Sequence, residues 1–142
     1  MKNNTIAIIT APFYETIITG LFRGAEQYLK QKNYLITRID VPGALEIPLA
    51  CQFLAVSEKF DALVALGAVI RGETAHFEHV CQQSARGIMD VSLKYSLPIG
   101  NGIITVENEA QAIARSSDNH KNKGYEAAVA AIELLKLKQK KW

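Results

Sequence analysis

The sequence predicts a three-layer α/β/α sandwich built on a four-stranded parallel sheet, and two patterns carry that prediction. Short apolar runs rich in β-branched residues alternate with longer stretches in which apolar residues recur every three or four positions. The short runs are apolar on both faces, as in strands covered from both sides, and parallel neighbours need right-handed helical crossovers to join them. A chain of 142 residues suits one domain, residues 1–142, and at this size about two thirds of the unfolded surface can be buried.

The elements follow in order. Thr5–Thr10 (TIAIIT) is short, β-branched and soon followed by Pro12, which suits a buried strand. From Glu15 the apolar positions Ile17, Ile18, Leu21, Phe22, Ala25, Tyr28 and Leu29 form one stripe of a helix. Residues 35–41 read as a second strand, residues 46–58 as a helix with Pro48 in its first turn, and residues 62–69 as a wholly apolar third strand. A long helix is expected over 74–95, closed by Pro98, and a fourth strand over Ile99–Val106. Residues 109–115 read as a short helix, 116–122 as a polar loop and 125–140 as a terminal helix.

Composition excludes several classes. The chain is 49% hydrophobic and 21% charged, so a packed core is expected and disorder is not. Its formal charge of +2 is too small for the positive field that nonspecific nucleic-acid binding requires. No run reaches the ~18 apolar residues of a membrane span, and no signal-peptide pattern precedes Pro12, so a cytoplasmic protein is expected. Cys51 and Cys81 form no C-x-x-C pair; they read as buried small apolar residues rather than a disulfide or zinc site.

In an open parallel sheet the ligand crevice lies beyond the carboxyl ends of the strands, so the segments 11–15, 42–46, 67–74 and 100–108 are the ones to read. Gly67-Ala-Val-Ile-Arg-Gly72-Glu73-Thr74 joins a strand to a helix N-terminus, where backbone N–H groups and the helix dipole favour an anion. Glu73 stands where a nucleotide-binding G-x-x-x-x-G-K-[ST] loop has lysine, which argues against an NTPase. A tight strand-to-helix turn would use the same two glycines. His76 and His79 follow at the start of the helix, suited to proton exchange near neutrality; no further ligand cluster supports a metal, and ordinary surface histidines remain an alternative. Glu46 reads either as an acceptor for ligand hydroxyls or as a helix-start charge, and Phe13 or Tyr14 as a ring for stacking or as an exposed loop aromatic. Arg115 suits bidentate phosphate binding, though a plain surface arginine fits as well.

Three strings, PGALEIP at 42–48, GAVIRGETAHFEHV at 67–80 and NKG at 122–124, resemble in the same order and across the whole chain those of the lumazine synthases. The resemblance implies a flavodoxin-like layer order and the penultimate step of riboflavin biosynthesis. In that reaction 5-amino-6-(D-ribitylamino)uracil condenses with 3,4-dihydroxy-2-butanone 4-phosphate, releasing phosphate and water without a cofactor or metal. It further implies that Phe13 stacks on the uracil ring, that Ala44, Leu45 and Glu46 hold the ribityl chain, and that Ala68, Val69 and Ile70 border the pyrimidine. By the same resemblance Glu73, Thr74 and Arg115 bind phosphate, His76 transfers protons, and Asn101 and Lys123 lie near the pyrimidine and ribityl groups.

The family's rings of five place each site between neighbours, so a homopentamer is implied, with the early residues from one subunit and the late ones from the next. Ile88, Met89, Val91 and Leu93 on the long helix offer more apolar surface than one sheet-facing stripe needs, which suits burial against such neighbours. Three departures from the family pattern stand out. Tyr14 replaces a frequent asparagine, Asn101 replaces a frequent aromatic residue, and Ser-Ser-Asp-Asn-His-Lys at 116–121 replaces the string of members that build sixty-subunit shells. Isolated or paired pentamers are therefore expected rather than a shell. A storage protein binding the same ligands without turnover is the second reading, and a proton shuttle at His76 would separate the two. A flavodoxin-like electron carrier or a receiver domain is disfavoured, because the first strand ends in Thr10-Ala11-Pro12 without an acidic pair and no G-x-G-x-x-G occurs.

Overall fold

Ala62–Ile70 carries no charge along nine residues and becomes β3, an inner strand of a four-stranded sheet in a computed structural model that describes residues 4–142. The chain runs β1 (Thr5–Thr10), α1 (Glu15–Gln31), β2 (Leu35–Asp40), α2 (Ile47–Ser57), β3, α3 (His76–Tyr95), β4 (Ile99–Val106), α4 (Glu109–Ser116) and α5 (Lys123–Gln139), with a 3₁₀ turn at Ala44–Glu46. Strand order is β2-β1-β3-β4 and every pairing is parallel. Thr5 opposes Leu35, Ile6 opposes Ala62, and the β3–β4 ladder runs from Leu63 opposite Ile99 to Ile70 opposite Val106.

The period-two geometry of a strand splits each apolar run between two cores. Ile6, Ile8, Val64, Leu66, Ile104 and Val106 face α1, α4 and α5, where they meet Leu21, Leu29, Ala128 and Ile132. Ala7, Ile9, Leu63, Ala65 and Ile99 face α2 and α3, where they meet Ile47, Cys51, Ile88 and Val91. Three layers result, as the sequence predicts.

Some expectations are corrected. β2 is a mostly exposed edge strand rather than one buried on both faces, and Arg38 and Asp40 on it blunt an otherwise open sheet edge. The segments 67–74 and 100–108, taken as the stretches in which to look for ligand contacts, begin inside strands, because the apolar β3–β4 ladder continues to Ile70 and Val106. The long helix starts at His76 and the last one at Lys123, two residues later and earlier than the periodicity suggests. On α3, Ile88 and Val91 pack beneath the sheet while Met89 and Leu93 stay 56% and 72% exposed, so half of the apolar set serves the helix's own core. Cys51 is buried, but Cys81 is only partly so. Among the described residues no helix is long and apolar enough to cross a membrane.

Helix ends and contacts are set locally. No glycine ends the first three helices; Asn33, Glu58 and Ser96 take the left-handed conformation instead. α1 meets the end of α4 and the start of α5 at close range. A Cβ at Gly20 would strike the Ser116 carbonyl, one at Gly24 the Asn122 amide, and one at Gly124 the Leu21 carbonyl.

Burial pushes the Cys51 thiol up to about 12 from its ordinary 9.0. Below pH 9 it is protonated in both folded and unfolded chains; between about 9 and 12 only the unfolded chain ionises it, so its contribution to stability is lost as pH rises through that window. Cys51 should therefore resist a thiol reagent in the native protein at pH 8 and react once the chain is unfolded. Cys51→Ala should lose less stability than the parent between pH 9 and 11. Rapid native labelling at Cys51, read by mass spectrometry, would contradict this account.

Candidate active site

β1 hands the chain to β2 on one side and β3 hands it to β4 on the other, so their carboxyl ends diverge and leave a crevice. A cavity of about 360 Å³ lies there, lined by Phe13 and Tyr14 after β1, Pro42 to Glu46 after β2, Ala68 to Ile70 at the end of β3, and His76 on α3. Phe13 is 75% exposed, its ring edge-on to Tyr14 at 5.0 Å. An aromatic so exposed at a cavity rim is available for stacking on a planar ligand. The Ala44–Glu46 3₁₀ turn carries Glu46 to the mouth. At the adjoining strand ends the Thr10 hydroxyl donates to the Asp40 carboxylate, which holds that carboxyl below its usual range, with Arg38 assisting.

A second concavity of about 440 Å³ runs along the free edge of β4 and shares no residue with the first. It is lined by Asn101 to Thr105, Arg115, Lys123, Glu126 and Ala127 among others. Arg115 donates to the Gln111 carbonyl at 3.1 Å, the Ile103 N–H donates to Asn101 Oδ1 at 2.9 Å, and Lys123 pairs with Glu126 at 3.1 Å. A larger concavity, about 750 Å³, lies between α1 and the 116–122 loop and is lined by none of the candidate catalytic or substrate-binding residues.

The residues expected at the phosphate are divided within one chain. Glu73 and Thr74 are exposed between β3 and α3 and line neither concavity, and Arg115 belongs to the second. Gly67 is a strand residue, and around Gly72 a Cβ would meet nothing within 4 Å. Neither glycine has a positive φ, so a tight turn is not the reason for them. Thr74 accepts the His76 N–H at 3.3 Å, and Glu73 stands three residues before α3 begins. His79 lies outside the first cavity, and the described residues hold no group of three His, Cys, Asp or Glu suited to a metal.

A family model described as 6,7-dimethyl-8-ribityllumazine synthase matches residues 3–139. The chain belongs to that family. Proteins named 6,7-dimethyl-8-ribityllumazine synthase from Zymomonas mobilis and Sphingopyxis alaskensis are each 50% identical to it, over 133 and 134 residues, covering 94% of this chain and 95% and 94% of theirs. One from Desulfovibrio desulfuricans is 41% identical over 139 residues, covering 96% of this chain and 89% of its own. A GDP-L-fucose synthetase structure from Naegleria fowleri aligns with a TM-score of 0.48 at 12% identity, over 94% of this chain and 42% of that one, too loose a likeness to bear on chemistry.

For this lumazine synthase family member the structure adds residues that sequence reasoning missed. Glu126 sits one helical turn from Lys123, a same-face spacing that could have flagged it. Arg71 gives no sequence signal, because one of its two acidic partners, Glu107, lies far along the chain. Asn122 could have been found as a helix-start residue. Buried at the start of α5, it accepts the Tyr125 N–H at 3.0 Å and donates to the carbonyls of Gly20, Ser116 and Ser117 at 3.0 to 3.1 Å. That ties Arg115 and Lys123, on either side of the loop, to α1. Asn122→Ala should cost about 2–4 kcal/mol, the sum of a lost cap and stranded carbonyls. Chemical denaturation will check it, and a loss below 1 kcal/mol would deny Asn122 that role.

Proposed function

We propose that this chain catalyses the penultimate step of riboflavin biosynthesis, condensing 5-amino-6-(D-ribitylamino)uracil with 3,4-dihydroxy-2-butanone 4-phosphate in the cytoplasm. One observation carries the site assignment: a single cavity at the strand ends gathers Phe13, Glu46, Ala68, Val69, Ile70 and His76 in a chain of this family. Phe13 stacks on the uracil, Ala44, Leu45 and Glu46 take the ribityl hydroxyls, and backbone groups of Ala68 to Ile70 border the pyrimidine.

The uracil's amine attacks the ketone and water leaves as the imine forms. Elimination of phosphate follows, and attack on the new carbonyl closes the ring with loss of a second water. His76, at the rim of the cavity, accepts and returns protons along this sequence. The loop N–H groups near Gly72, the positive end of α3 and an arginine stabilise the departing phosphate. Holding two molecules in reacting geometry supplies much of the acceleration, since a bimolecular step becomes a local one. Metal and cofactor have no step in this scheme.

Asn101, Arg115 and Lys123 line the other concavity of the same chain, which supports a site completed by a neighbour. We read the protein as a homopentamer, or two such rings, in which the second concavity of one subunit closes over the cavity of the next. Glu73 and Thr74 then meet the neighbour's arginine at the phosphate.

Two outcomes are expected. His76→Ala should lower turnover roughly ten- to a thousandfold with little change in substrate binding, measured by the absorbance of the lumazine product. An unchanged rate removes His76 from the proton transfers. Phe13→Ala and Arg115→Ala should each be impaired alone, whereas chains of both kinds refolded together in equal amounts should recover about a quarter of the parent's sites, because some neighbours then join two intact halves. Sedimentation of the parent should give a ring of five or a pair of rings; a monomer, or a mixture without recovery, contradicts the shared site.

A further inference from the structure

The segment 71–79 (RGETAHFEH) contains two glutamates and one arginine, and the structure adds a third carboxylate beside it. Glu78 occupies the first turn of α3, where a helix would otherwise offer its positive end to an anion. Glu107 follows the last residue of β4 and sits across the same loop. Arg71 meets both. Its Nη1 lies 2.6 Å from Glu78 Oε1, its Nε lies 2.8 Å from Glu107 Oε1, and its guanidinium stacks over the Phe77 ring at 4.4 Å. The Arg71 N–H continues the ladder by donating to the Val106 carbonyl at 2.9 Å. One side chain thus ties together the end of β3, the start of α3 and the β4–α4 junction.

We propose that Arg71 is a positioning residue for the phosphate of the butanone substrate: it neutralises Glu78 and Glu107 and so lets a dianion settle at residues 72–75. This rests on the phosphate loop assigned under the proposed function. Planarity is essential to the arrangement, since a guanidinium can serve two carboxylates and an aromatic face at once whereas an ammonium cannot. The titratable groups in this segment, or ion-paired to it, are Glu73, Glu78, Glu107, Arg71, His76 and His79. Without Arg71, three carboxylates would confront the phosphate with no permanent cation of the same chain among them.

A clamp that merely stiffened the loop and a clamp that neutralises charge differ in sign at Glu78. Arg71→Ala should raise KM for the butanone phosphate about tenfold and weaken inorganic phosphate to the same degree, while KM for the uracil stays within about twofold. Glu78→Gln, which leaves Arg71 with charge to spare, should bind inorganic phosphate more tightly than the parent. Arg71→Ala combined with Glu78→Gln should recover much of the loss. Calorimetric titration with inorganic phosphate reads all three variants without turnover, and Glu78→Gln keeps the test valid if Arg71→Ala fails to fold. Weaker phosphate binding in Glu78→Gln, or equal damage to both substrates in Arg71→Ala, overturns the proposal. If the parent binds phosphate and Arg71→Ala binds it equally well, this role alone falls; if the parent takes no phosphate at all, the loop assignment falls and this role with it.

Discussion

Burial of β3 on both faces and along both edges is the constraint from which the other elements take their places. Its uncharged residues must be covered by helices above and below and paired left and right, and each parallel pairing forces the chain to cross over a face of the sheet. With β1 paired on one side and β4 on the other, the connections leave in opposite senses at the carboxyl ends. The crevice is therefore a product of topology before any site residue is chosen, and the residues that fill it are those the three nearest loops happen to carry there.

The same constraint keeps Asn101, Arg115 and Lys123 out of that crevice. β4 is an edge strand, and α4 and α5 return along its outer side, so a concavity forms on a different surface from the first. Gly100 and Gly102 on β4 allow Ala127 of α5 to approach the strand closely. A long side chain at either glycine would lift α5 and carry Lys123 with it. Placement of the two surfaces thus follows from small residues at helix–strand contacts rather than from the charged groups themselves.

The layer order and all four strands were legible because apolar runs and helical stripes are local patterns, and β1 and β4 match to the residue. Elsewhere the boundaries shifted by a residue or two. The third strand runs one residue further than the apolar pattern predicts, because the ladder to β4 holds Ile70 extended. The last helix begins at Lys123, two residues before the stripe that starts at Tyr125, because Asn122 caps it there. Phe13, Glu46 and His76, which line the cavity, were readable from the segments that follow strands. Arg71 was not, since its worth depends on two carboxylates brought to it by folding, and no spacing along the chain announces that Glu107 will stand beside it.

The seam that α1 forms with the end of α4 and the start of α5 limits how such a chain can drift in sequence. An ordinary core contact tolerates exchange of one apolar side chain for another so long as volume is kept, because rotamers and neighbours adjust together. At Gly20, Gly24 and Gly124 the surfaces in contact are carbonyl groups and one fixed amide, which have no alternative rotamers to offer. Compensation by repacking is closed to this seam. It is a part of the molecule with no chemistry of its own where change is nonetheless least free, and a map of tolerated substitutions would show it as an island of intolerance outside the cavity at the strand ends.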